Sequence, residues 1–179
     1  AIDQVAALPD VSEIWLIGAG FGGSISICCA AEDSRVRGVA TLAAHSNLND
    51  WLRDPARFLT HARRMGVLRS ADAPRDTASW TREIKEFAPL AAASKLGDRP
   101  LLILHGSDDT VVAPTDAIEL SEAHGSADLR FVFHAGHRLR HDPRAVASLL
   151  GWIDRHGGPL LEAAPIEPSE LLTEQQTFL

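Results

Sequence analysis

The chain lacks any long apolar run. No stretch of its 179 residues approaches the ~20 consecutive apolar positions that a membrane-crossing helix needs, and no charged-then-apolar leader precedes the first apolar segment. The expectation is a cytoplasmic protein with no membrane partner. An excess of base is lacking too: 17 Lys and Arg stand against 24 Asp and Glu, for a net charge of -7. A nucleic-acid partner would need a clustered basic face to offset phosphate charge, so that class is excluded. Cysteine is scarce. Cys28 and Cys29 are adjacent in one predicted helix and read as small core residues, not as a disulfide or metal pair, which suits a reducing compartment. Internal repeats and low-complexity tracts are absent, which excludes a solenoid. What is present is 45% hydrophobic residues, enough to bury one sizeable core.

That apolar content falls into four short runs: Glu13 to Ile17, Val36 to Leu42, Leu101 to Leu104 and Leu129 to Phe133. Each has the length and continuity of a parallel strand buried on both faces. Helical segments alternate with them, and that alternation predicts an α/β fold with a parallel sheet. Pro114 and Thr115 start one helix and Gly125 ends it. Asp142 and Pro143 start another, with Val146, Leu149, Leu150 and Ile153 on one face and Gly157 as terminator. The chain opens at Ala1 with what reads as the end of a helix, Ile2 to Leu8, so a piece of a longer protein is expected. Residues 1–156 form the expected domain. An insertion at 45–95 without strand pattern carries helices from Asp54-Pro55 to Gly66 and from Thr77 to Phe87, placed to cover a ligand crevice. Residues 157–179, acidic and punctuated by proline, read as a loosely held tail with a short helix at Ser169 to Gln176.

The chemistry concentrates at three places. Gly18-Ala19-Gly20-Phe21-Gly22-Gly23 follows the first strand and opens a helix. It has the small residues of a G-x-S-x-G turn, in which a nucleophile sits on a sharp strand-to-helix bend, but the serine position is Gly20. The second place is Leu102-Ile103-Leu104-His105-Gly106-Ser107-Asp108-Asp109, a strand running into acid residues. The third is Phe133-His134-Ala135-Gly136-His137, a histidine loop after the last strand.

In this order, from Val11 to Arg155, the three segments resemble the C-terminal two-thirds of an α/β-hydrolase. The resemblance implies that fold, with a partial parallel sheet, flanking helices and a helical lid. It also implies a hydrolase acting on ester bonds, with His137 as base and Asp109, or its neighbour Asp108, as the acid that orients it. Gly20 and the Phe21 amide would touch the substrate, with the Phe21 N–H as an oxyanion donor. No cofactor and no metal are implied.

Two functions stay open. One is a pseudoenzyme or binding protein for a small ester-like or acidic molecule. The other is an enzyme in which His137 and Asp109 activate water or deprotonate a substrate in the space Gly20 vacates. Ser24, Ser26 and Cys28 lie inside the following helix and are not expected to reach His137.

Other features carry weaker signals. Gly18, Gly20 and Gly23 also satisfy G-x-G-x-x-G, a dinucleotide fingerprint. The acidic residue it requires at the end of the next strand is missing, since Leu42-Ala43-Ala44-His45 reaches no carboxylate before Asp50. His134, His137 and His141 straddle a loop and a helix start without metal-ligand spacing. Arg138, Arg140 and Arg144 form a basic cluster near the site mouth that either draws an anionic ligand or is a solvated face. His45 and His61 have no partner that sequence identifies. Because such a sheet continues beyond its first strand here, Glu13 to Ile17 is expected to be an open edge, favouring a homodimer or association with a missing N-terminal segment.

Overall fold

The computed structural model describes residues 1–64, 66, 68, 70, 74 and 76–157, and the expected tail helix lies outside these residues. Four strands, Ile14–Ala19 (β1), Val36–Leu42 (β2), Leu101–Gly106 (β3) and Asp128–Val132 (β4), form a parallel sheet in the order β1-β2-β3-β4. Its helices are Ile2–Ala6 (α1), Phe21–Glu32 (α2), Asn49–Arg53 (α3), Pro55–Arg64 (α4), Thr77–Glu86 (α5), Pro89–Lys95 (α6), Pro114–His124 (α7) and Pro143–Gly157 (α8). This is the α/β architecture expected of the strand and helix alternation.

Residues alternate between the two faces of each strand, and both faces are covered. Val39, Leu101 and Ile103 pack with Ile27 and Ala30 of α2, Ala92 and Ala93 of α6, and Ala117 and Leu120 of α7. On the other face Ala40, Leu42, Leu102 and Leu104 pack with Ala145, Trp152 and Ile153 of α8. All six residues of β3 are therefore buried, which is why Leu101 to Leu104 form an apolar run with no alternation. Asp142 caps α8 by accepting the Arg144 amide at 2.9 Å, as expected. The buried face of that helix differs from expectation: Leu150 is 51% exposed and Trp152 is fully buried, edge-on to Trp15 with ring centroids 5.5 Å apart. The indole fills more of the space over the sheet than Leu150 could, and one turn of helix cannot present both.

Cys28 is half-buried against the core, and burial pushes its thiol up to about 11, but Cys29 is exposed and is no core residue. In the 45–95 segment, α6 packs between α2 and α7 as part of the main core, so only α3, α4 and α5 are left over the site. At the other end of the sheet β1 has β2 as its only strand neighbour among the described residues, with Ile17 52% exposed. No helix among them is long and apolar enough to cross a membrane.

Truncating the indole that anchors α8 removes the largest fully buried side chain in the protein. Trp152→Ala is predicted to lower unfolding stability by about 3–5 kcal/mol, read from the shift in urea midpoint. A loss under ~1 kcal/mol would mean that α8 is held by something other than this contact.

Candidate active site

All the sequence-predicted site residues lie at the C-terminal ends of the strands, where loops of an open parallel sheet converge. Gly20 links β1 to α2. Its backbone adopts φ 55° and ψ -129°, a region that L side chains rarely enter, and its amide donates to Leu42 O at 2.8 Å. The turn is tight because its neighbours have no side chains. A Cβ on Gly18 would lie 2.3 Å from Gly22 O, and one on Gly23 would lie 2.9 Å from the Ala44 methyl. Gly23 and Ser24 amides donate to Gly20 O. The Phe21 and Gly22 amides, first in α2, have no acceptor within the helix.

The loop after β3 supplies the acid. Asp109 is buried, and its Oδ1 accepts the amides of Val111 at 2.8 Å and Val112 at 3.0 Å. Its Oδ2 lies 2.9 Å from His137 Nδ1 and 3.5 Å from His105 Nε2. Burial alone would raise the pKa of this carboxyl. The Val112 and Val111 amides and the His137 ring outweigh it and hold the group below the usual carboxylate range. Asp108, the alternative acid, is exposed; it accepts from Ser107 Oγ at 2.6 Å and stands 3.7 Å from His134, not at His137.

The loop after β4 supplies His137. It crosses the acid loop closely: Asp108 N donates to Ala135 O at 3.0 Å, and His134 N donates to Ser107 Oγ at 2.8 Å. A Cβ on Gly106 would lie 2.2 Å from Ala135 O, so only glycine permits this crossing. With Nδ1 on Asp109, the His137 ring has Nε2 3.4 Å from where a Cβ of Gly20 would stand. The structure thus brings Asp109, His137 and Gly20 together in one line. Phe21 stands beside them, its ring 4.9 Å from that of Trp51 and 5.4 Å from that of Phe87.

The serines are committed elsewhere. Ser24 is fully buried, donates to His45 O at 2.8 Å and accepts the His45 amide at 3.0 Å. Ser26 donates to Gly22 O at 2.8 Å.

Two site histidines gain partners that sequence spacing did not reveal. His105, inside the β3 motif, is fully buried, with Nε2 3.1 Å from Val112 O beside Asp109, and its Nδ1 has no hydrogen-bond partner. His45 follows Ala43, whose φ of 54° is left-handed, and its ring meets Trp51 edge-on at 5.5 Å. Burial pushes the His45 pKa below the ordinary imidazole value; Asp116 opposes this and His137 adds to it. The visible signal for His45 was its place directly after a parallel strand. It lines a cavity of about 290 Å³ together with Trp51, Asn47, Thr115, Asp116 and Glu119. The rings of Trp51, Phe58 and Trp80 continue outward as a stack, at 4.2 and 5.6 Å. The His61 side chain lies outside the described set. Among the described residues no three His, Cys, Asp or Glu side chains are grouped to hold a metal.

Comparison with known proteins places this geometry in a fold. No family model matches the chain, and no curated protein matches it. Solved structures do. Est1E from Butyrivibrio proteoclasticus is 16% identical with a TM-score of 0.59, covering 98% of this chain and 66% of its own. The esterase domain of a Rhodothermus marinus protein is 23% identical with a TM-score of 0.57, over 80% of this chain and 62% of that one. MGS-MChE2, an α/β hydrolase enzyme from the metagenome of lagoon sediments of Mar Chica, Morocco, is 16% identical with a TM-score of 0.61, over 87% and 68%. The chain therefore has the α/β-hydrolase fold and spans about two-thirds of the length of these neighbours.

Because the folded pKa of Asp109 is depressed, its contribution to stability is present above the unfolded value near pH 4 and is lost as pH falls through the lower folded value. The stability gap between wild type and Asp109→Asn is predicted to be widest at neutral pH and to shrink below about pH 4. Urea midpoints measured across that range check it, and a gap independent of pH would contradict the hydrogen-bonding account. Gly106→Ala is predicted to cost about 1–3 kcal/mol in the same assay by prising the two loops apart.

Proposed function

We propose that this protein binds a small ester-like or acidic molecule at the turn between Gly20 and His137, and that it performs no serine-based acyl transfer. Gly20 carries the reading. At the point of the elbow where the resemblance implies a serine, the backbone holds the strained conformation of such a turn but bears only hydrogen, 3.4 Å short of His137 Nε2 measured from a Cβ. Acyl transfer needs an oxygen within hydrogen-bond reach of its base. Ser24 and Ser26 have their hydroxyls engaged on backbone carbonyls and do not replace it. In this reading α3, α4 and α5 serve as a lid, and the rings of Phe21, Trp51 and Phe87 form its apolar lining.

A second reading draws on the Asp109–His137 contact at 2.9 Å. An imidazole oriented by a buried carboxylate, with its far nitrogen open, is a general base. A water in the space left at Gly20 would then be deprotonated directly, without a covalent intermediate. The dinucleotide alternative gains no support, because β2 runs into Ala43, Ala44 and His45 with no carboxylate for a ribose hydroxyl.

Organophosphonate probes are predicted to leave the protein unlabelled, and an ester panel is predicted to give no turnover above that of His137→Ala. Stoichiometric labelling at any serine would overturn both readings. Turnover without labelling, lost in His137→Ala, would establish the second. For the open β1 edge we propose a strand from a second copy or from a segment N-terminal to the chain. Sedimentation at tens of micromolar is predicted to show self-association; a stable monomer with slow amide exchange at Trp15 to Ile17 would refute it.

A further inference from the structure

We infer that the groove beside His137 is an anion subsite that holds a carboxylate or phosphate group of the ligand through Arg138, an inference that rests on reading the His137–Gly20 turn as a ligand site. The groove measures about 490 Å³ and is lined by residues 134–139 and 141–143, with His137 on its wall. Residues 134–144 carry three arginines and one acid, Asp142, in a chain whose net charge is -7. The sign of this segment is therefore opposite to that of the protein around it.

Hydrogen bonding separates the three arginines. Arg144 is fully engaged: it holds Asp142 through Nη2 at 2.7 Å and Nε at 3.1 Å and donates Nη1 to Phe133 O at 2.9 Å. Asp142, the only carboxylate on the groove, is thereby neutralised, and the Arg144 hydrogen bonds lower it to about 2. Arg140 donates Nε to His141 Nε2 at 3.0 Å. Arg138 is exposed on the groove; its carbonyl accepts the His141 amide at 3.0 Å, and its guanidinium has no hydrogen-bond or ion-pair partner among the described residues. Of the other acids, Asp128 is held by Arg130 and Asp108 lies on Ser107 and His134, and neither lines the groove.

What the groove offers is thus one uncommitted guanidinium next to the imidazole that faces Gly20. A guanidinium presents parallel N–H donors that match the two oxygens of a carboxylate or phosphate. The segment's shape is set independently of any ligand. His134 takes a left-handed φ of 58°, its amide is tied to Ser107 Oγ, and Leu139 is buried in the core under the groove.

The test is an NMR titration of the full chain with inorganic phosphate and, separately, with benzoate, reading the Arg138 side chain and the His137 ring. Expected is a saturable shift at both residues with either or both anions; which anion binds more tightly identifies the group. Arg138→Gln should weaken binding roughly tenfold or more. Arg37→Gln, which removes the same charge at the opposite end of β2, should change it by less than about twofold. Shifts that stay linear, equal weakening in both variants, or a saturable shift at Arg138 that leaves His137 unmoved would each overturn the subsite. Covalent labelling by organophosphonates would sink the binding-protein reading and is a separate observation from this titration.

Discussion

One buried carboxylate holds the site together. Asp109 faces two amides of its own loop with one oxygen and two imidazoles with the other. Those contacts join the loop after β3 to the loop after β4, and so fix the one side chain that addresses the elbow. Taking a carboxylate out of water is costly unless its lone pairs are met, and here four polar groups surround it. Everything else at the strand ends supports that arrangement. Gly106 lets the two loops cross without a side chain between them, Ser107 ties the crossing at His134, and the fully buried β3 sets the height from which both loops start.

The elbow is built with the same economy of side chains. Gly18 and Gly23 are required by contact, since a methyl at either would meet atoms of α2 or Ala44 at less than 3 Å. Gly20 differs in kind: the nearest atoms to its missing Cβ are those of His137, at ordinary van der Waals separation, and what restricts the position is its backbone angle. An L residue there would fit the space but strain the chain by roughly 1–2 kcal/mol. Glycine removes that strain along with the side chain. The turn therefore keeps its shape and its contact with the histidine without any side chain of its own.

Much of this was legible in the residues. The four strands fall within two residues of their expected bounds, because runs such as Leu101 to Leu104 can be buried only in a sheet covered on both faces. The order of Gly20, Asp109 and His137 along the chain was enough to expect them at one end of the sheet. What stayed hidden depended on contacts between distant segments. Helix α6 joins the core through Ala92 and Ala93, and small side chains leave no amphipathic signature. Leu150 and Trp152 compete for one face, and no periodicity decides between them. His45 becomes a site residue only because Ser24, 21 positions earlier, clasps its backbone from the elbow helix. The three arginines look alike in sequence and are told apart only by where their hydrogen bonds go.

The aromatic residues divide in a way that has an optical consequence. Trp15 and Trp152 meet edge-on under α8, at the rear of the sheet, whereas Trp51 and Trp80 stand in the insertion, each stacked on Phe58. These four are all the tryptophans of the chain, and no tyrosine is present to contribute emission. Intrinsic fluorescence therefore carries two spatially separate signals, one from the core and one from the segment above the elbow. With the core pair replaced by phenylalanine, emission would report the insertion alone, and with the insertion pair replaced, global unfolding alone. The protein thus contains its own dye pair for resolving motion over the site from loss of the fold.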